Sequence, residues 1–184
     1  MEREILFDEQ TVDDAIDRVA DGIINEFREN GGAPEDFVLV GIHKQGVPLA
    51  HRIAEAIRRK SGYEPIMGEL DISMYRDDIG TRCNLPIIRP TEIDFDVNGS
   101  NLVLVDDILS SGRTIRAALD AVTDYGRPRV IRLAVLVDRH ASEFPIHSDY
   151  AGINVRIDPD MKLMAEFTPD DPADAVWQMK WQHK

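Results

Sequence analysis

Apolar positions along the chain recur with two different periods. Val12, Ala15, Ile16, Val19, Ile23 and Phe27 follow one another at three- and four-residue steps, which places them on one face of a helix. Thr11 and Asp14 resemble a capping box at its start, and Gly31–Gly32 is its expected end. Phe37–Ile42 (FVLVGI) is an unbroken apolar run and predicts a buried strand. His43–Gly46 is a polar loop, and Pro48 opens a helix through about Lys60, whose closing Arg58–Arg59–Lys60 suits the negative end of the helix dipole. Ile66–Met74 predicts a third strand. The polar stretch Tyr75–Arg89 carries Arg76, Asp77, Asp78, Gly80 and Arg82, and its length without apolar periodicity predicts a mobile lid. Ile93–Val97, Asn98–Gly99 and the run Leu102–Val105 together predict a β-hairpin, because Asn-Gly favours a type I′ turn. Val130–Val137 and Ile153–Ile157 predict two more strands, and the polar remainder from Asp158 a terminal strand or short helix. Strands alternating with helices imply an α/β fold with a mostly parallel central sheet flanked by helices.

The stretch Asn101–Val122 (NLVLVDDILSSGRTIRAALDAV) adds chemistry to this outline. A buried strand runs into Asp106 and Asp107. Leu109, Ser110, Ser111, Gly112, Arg113 and Thr114 then form a small-residue turn. Ile115, Ala118, Leu119 and Val122 open an amphipathic helix. Backbone N–H groups of such a turn and helix start can hold a phosphate, and small side chains let the anion come close. Two carboxylates at the carboxyl end of a strand can accept hydrogen bonds from sugar hydroxyls or help to position magnesium. This combination implies a site for a phosphorylated sugar. The loop His43–Lys44–Gln45–Gly46 also lies between a strand and a helix, with Lys44 adding positive charge, and Arg76 in the lid can reach a pyrophosphate.

Bulk properties narrow the class. The chain has 184 residues, 43% hydrophobic and 30% charged, an ordinary composition for a globular chain. No apolar run is long enough to span a bilayer, and the acidic start MEREILFDEQ lacks a signal-peptide pattern. The single cysteine, Cys83, leaves no internal disulfide and fits the cytoplasm. A net charge of −13 disfavours non-specific nucleic-acid binding and requires an anionic substrate to be met by local donors or a metal ion. Arg127, Arg129, Arg132 and Arg139 cluster near one predicted strand, which read alone is a solvated face.

V-L-V-D-D-I-L-S-S-G-R-T resembles the phosphoribosyl pyrophosphate (PRPP) signature of type I phosphoribosyltransferases. G-I-H-K-Q-G-V-P-L-A, G-E-L-D-I-S-M-Y-R-D-D and G-R-P-R-V-I-R-L-A-V-L-V-D-R resemble, in order and spacing, the pyrimidine-operon attenuators that are also uracil phosphoribosyltransferases. The resemblance runs from about Ile42 to Val155. It implies one catalytic domain over 1–184, with a flexible catalytic loop at about 75–89 and a small hood at about 138–184 together with the N-terminal segment. It implies that Asp106 and Asp107 bind the ribose hydroxyls of PRPP, with Arg76 as a third catalytic residue. Leu109–Thr114 would cradle the 5′-phosphate. His43–Gly46 would form the pyrophosphate loop, and Val137, Asp138 and Arg139 would meet uracil largely through backbone groups. Magnesium would come with PRPP, touching Asp106 and Asp107 only indirectly. Uracil, PRPP and UMP are the implied ligands, pyrimidine-operon leader RNA an implied partner with Arg127, Arg129, Arg132 and Arg139 as its candidate contacts, and dimers or larger assemblies the implied state. The chain departs from the pattern at Gln45, where a second basic residue is usual, and at D-R-H-A-S-E, where D-R-G is usual. A hypoxanthine-type salvage transferase without RNA binding shares the PRPP loop and is the alternative.

Overall fold

The computed structural model describes residues 3–29, 37–77 and 89–180. The expected helix end at Gly31–Gly32, Cys83, and the 78–88 part of the expected lid lie outside them. Helix α1 spans Glu9–Glu29 and buries Val12, Ala15, Ile16, Val19, Ile23 and Phe27, the predicted stripe. Its cap is Asp8, not Thr11. Asp8 Oδ1 accepts the Thr11 N–H at 3.0 Å and the Thr11 hydroxyl at 2.6 Å, two donors at a helix start that otherwise has none to receive them.

Five parallel strands form the main sheet in the order β3-β2-β4-β5-β6. They are β2 (Phe37–Ile42), β3 (Ile66–Leu70), β4 (Asn101–Leu109), β5 (Val130–Asp138) and β6 (Tyr150–Asn154). Helices α1 and α2 (Gly46–Ser61) cover one face with Leu39, Val103, Val105 and Leu136, while α3 (Arg113–Thr123) covers the other with Val40, Leu104 and Val135. Alternate strand residues thus serve opposite faces, so the middles of these strands are continuous apolar runs. Leu39 and Leu104 are fully buried, and each such side chain contributes roughly 1.5–3 kcal/mol of transfer free energy.

A second sheet is antiparallel, ordered β1-β8-β7, from β1 (Arg3–Phe7), β7 (Met161–Glu166) and β8 (Ala175–Lys180). Leu163, Ala165, Phe167 and Val176 join the α1/α2-side core. The polar tail therefore supplies two strands where one strand or a short helix was expected. Their alternation was masked by short length and by pairing with the other end of the chain.

Three further expectations change. The hairpin at 93–99 is absent, because both sides of β4 are taken by β2 and β5. Only a turn forms, and it is not type I′: the Ser100 N–H donates to Val97 O at 3.2 Å, with Gly99 at φ 73° but Asn98 outside the positive-φ region. The third strand stops at Leu70, where Asp71 Oδ1 accepts the Ser73 N–H at 2.6 Å and turns the chain. The predicted strand at 153–157 begins earlier, at Tyr150, whose buried ring packs beside Gly22 of α1.

Candidate active site at the carboxyl edge of the main sheet

β4 outruns its neighbour. Its pairing with β2 ends at Gly41–Val105, while pairing with β5 continues through Asp106–Val135 and Leu109–Asp138. The acidic pair, expected directly after a strand ending at Val105, lies within the strand itself. Beyond the end of β2 the strand is open on one side, and there the 43–46 loop approaches. Gly46 sits so close that a Cβ would lie 2.4 Å from Val105 O and 3.2 Å from the Asp106 Cα. Only glycine lets the two backbones meet this way.

Asp106 is 6% exposed. Its Oδ1 accepts the Asp107 N–H at 3.0 Å. Burial first, and then the Asp107 charge, push the Asp106 carboxyl well above the ordinary carboxylate range, with the charge of Arg76 acting the other way. Burial also raises Asp107. At this edge burial opposes the charge of both carboxyls, while the Asp107 N–H and the Arg76 charge act the other way on Asp106.

The turn that follows is bent around Gly112, at φ 86°. A segment after β5 packs on it from outside. The Arg139 N–H donates to Leu109 O at 3.0 Å and the Glu143 N–H to Ser111 O at 2.8 Å. Ser142 and Ile146 fill the space where a side chain at position 112 would go. Ser110 and Ser111 lie in this turn, and Thr114 lies in the first turn of α3. The Arg113 side chain does not face the turn. It bridges Asp77 Oδ2 at 2.8 Å and Glu143 Oε2 at 2.9 Å, joining the start of the expected lid to the segment after β5.

At the end of β5, Val137 is fully buried between β4 and β6. Asp138 is consumed internally: its carboxylate accepts the His140 N–H at 2.8 Å and the Ser148 hydroxyl at 2.6 Å. His140, at φ 51°, occupies the left-handed region where glycine is at ease, which accounts structurally for the usual D-R-G. The Arg139 guanidinium turns inward, donating to Ser110 Oγ at 3.3 Å and Met161 O at 3.0 Å, and burial holds its pKa below the usual arginine value.

In the 43–46 loop, the His43 N–H donates to Leu70 O at 3.0 Å, and its Nε2 lies 3.2 Å from Glu69 Oε2. That approach is too poorly aligned for a hydrogen bond, and both ring nitrogens lack such a partner. Lys44 is exposed. A cavity of about 510 Å³ opens behind this loop, walled by His43, Lys44, Arg52, Arg89 and Thr168. Asp71 ties Ser73 and Arg89, at the two ends of the expected lid, to one carboxylate. Burial acts to raise its pKa, and these N–H donors hold it below the ordinary value.

The four candidate RNA arginines do not gather. Arg139 lies past one end of β5, and Arg127 and Arg129 lie before the other, nine strand residues or about 30 Å away. Arg132 is paired with Glu26 at 2.9 Å and Asp149 at 3.6 Å. Arg129 donates to Asn101 Oδ1 at 2.7 Å. Arg127 and Arg129 remain exposed.

The phosphoribosyl transferase domain family matches residues 3–168. The bifunctional protein PyrR of Chloroflexus aurantiacus is 46% identical, over 89% of this chain and 90% of that protein. PyrR of Thermoanaerobacter sp. is 49% identical over 82% of each. The chain belongs to the phosphoribosyl transferase family and, within it, to the PyrR proteins. Among solved structures, the hypoxanthine phosphoribosyltransferase of Trypanosoma cruzi superposes with a TM-score of 0.72 over 97% of both chains, at 17% identity. That likeness speaks for the type I phosphoribosyltransferase fold and not for the base. Asp71, Asp171, Ser142 and Glu143 are site neighbours that the sequence reading missed. Asp71, in D-I-S, and Asp171, in P-D-D-P, carried local turn signals, but neither signal says what the side chain meets.

Proposed function

We propose that the protein is a uracil phosphoribosyltransferase, converting uracil and PRPP to UMP and pyrophosphate, in one catalytic unit with the small sheet as its hood and 75–89 as its lid. The observation that carries this is the pair Asp106–Asp107, set at the carboxyl end of β4 where burial raises both carboxyls, beside a phosphate-sized turn and opposite the 43–46 loop. Displacement at C1 of ribose builds positive charge on the sugar and negative charge on the departing pyrophosphate. Asp106 and Asp107 accept the ribose hydroxyls and face the developing positive charge, so their raised proton affinity in the free protein is relieved when PRPP binds. The 109–114 turn holds the 5′-phosphate and fixes C1 relative to the base. Lys44 and Arg76 face the pyrophosphate. The backbone of Val137 and Arg139 meets the pyrimidine ring.

The donor set fits magnesium that arrives with PRPP. Two adjacent carboxylates are present, yet the described residues contain no group of three or more His, Cys, Asp and Glu able to hold a metal alone. When bound, magnesium would neutralise pyrophosphate charge next to Asp106 and Asp107. Rates of nucleotide formation with uracil, hypoxanthine and orotate test the assignment. UMP formation is expected to dominate, and faster conversion of hypoxanthine would overturn it.

The relatives are named bifunctional, which favours a second role: UMP-responsive binding to the leader transcript of a pyrimidine operon, leading to transcription attenuation. With Arg132 and Arg139 engaged elsewhere, Arg127 and Arg129 are the remaining contacts from the original cluster. Gel-shift titration of leader RNA at low salt is expected to show tighter binding with UMP. Equal binding with and without UMP would discard the role.

A further inference from the structure

The 43–46 loop is held from outside the main sheet. Gln45 Nε2 donates to Asp171 Oδ2 at 3.2 Å, across a sequence separation of 126. Asp171 lies in the connection between β7 and β8, and its position is set before Gln45 reaches it. Its N–H donates to Phe167 O at 2.9 Å, and its Oδ2 accepts the Phe167 N–H at 3.0 Å. The connection is also fastened to α2. Arg52 Nη2 donates to Thr168 Oγ1 at 2.6 Å and to Asp174 Oδ1 at 2.7 Å, and Asp174 is 2% exposed. The Gln45 amide thus meets a rigid acceptor on a braced wall.

We propose that Asp171 is a positioning residue for the leaving-group half of the site, fixing through Gln45 the backbone that receives pyrophosphate. This rests on the transferase reading above. The loop backbone has three anchors. The His43 N–H is tied to Leu70 O at 3.0 Å, and Gln45 O accepts the Leu49 N–H at 3.2 Å in the first turn of α2. The third is the Gln45 side chain on Asp171. That side chain is therefore a strut and not a pyrophosphate ligand, which explains how a neutral residue serves where a basic one is usual. Both bonds to the Asp171 side chain converge on one oxygen, Oδ2. An amide with its oxygen there would keep both.

The test compares Gln45→Ala, Asp171→Ala, their double variant and Asp171→Asn in steady-state UMP formation and in pyrophosphate product inhibition. Loss of the Gln45–Asp171 hydrogen bond, common to both alanine variants, predicts about a fivefold rise in the PRPP KM and the pyrophosphate inhibition constant in each. The uracil KM should be unchanged, the double variant no worse than either single one, and Asp171→Asn close to the unsubstituted protein. Asp171→Asn as impaired as Asp171→Ala would overturn the proposal, as would a uracil KM that moves with the PRPP KM or an inert Gln45→Ala. Calorimetric binding of pyrophosphate to the unsubstituted and Gln45→Ala proteins reads the contact without turnover. An unsubstituted protein that binds pyrophosphate more tightly than Gln45→Ala but makes no UMP would sink the transferase reading and leave the contact standing.

Discussion

Two strand-to-helix loops meet at the same sheet edge, and they are built in opposite ways. The 109–114 turn is nearly self-contained. Its strand, acidic pair, positive-φ glycine and helix are consecutive in sequence, and the segment after β5 merely backs it. The 43–46 loop is not self-contained. It is wedged against β4 at Gly46 and strutted at Gln45 by Asp171. A tight grip on the ribose phosphate can be encoded locally, whereas the loop facing the leaving group takes its shape from residues far along the chain.

Asp107→Asn should have the largest effect. It removes a charge opposite the developing positive charge, and about a thousandfold loss in kcat/KM is expected. The far-ultraviolet circular dichroism should be unaltered, and loss of that signal would make the acidic pair structural.

Gly46→Ala comes next. Its Cβ would meet the β4 backbone at 2.4 Å, where nothing can rotate away. A destabilisation of roughly 3 kcal/mol is expected in urea titration, together with loss of activity. Gly112→Ala should cost less, about 1–2 kcal/mol, from its φ of 86°. The atom it meets at 2.9 Å is the Ser142 hydroxyl, which can turn aside. A costlier Gly112→Ala would break the contrast between a wedged loop and a self-contained one.

Asp106→Asn should act in the opposite direction on stability. The folded protein binds the Asp106 proton more tightly than the unfolded chain does. The group's contribution to stability is therefore full below its unfolded pKa and is lost as pH rises through the raised folded value. At neutral pH the amide should gain about 1 kcal/mol, raising Tm by about 2–4 °C, while activity falls. The gain should disappear in acid below the ordinary aspartate range. A variant less stable at neutral pH would show that the Asp106 charge supports the fold.

What was legible in the sequence follows the same division. Helix stripes and apolar strands such as FVLVGI depend on local periodicity, and they are where expected, as is the central strand–turn–helix. The 93–99 hairpin failed because a turn forms there but the partner edge of β4 belongs to β2 and β5, a competition that no local motif records. Strands β7 and β8 were missed because they are short, polar on one face and paired partly with β1 at the far end of the chain. Arginine spacing suggested a basic cluster, but the acidic partners Glu26 and Asp149 of Arg132 were not visible in it. The usual glycine after Asp138–Arg139 was noted as a departure, and its meaning, a left-handed residue, came only with the backbone.

The central claim is that this edge transfers ribose phosphate to a pyrimidine. Purified protein supplied with PRPP, magnesium and an equal mixture of uracil and hypoxanthine tests it directly, with both nucleotides separated by chromatography. The expected products are UMP and an equal amount of pyrophosphate, with little nucleotide from hypoxanthine. No UMP, or nucleotide formed chiefly from hypoxanthine, would contradict it.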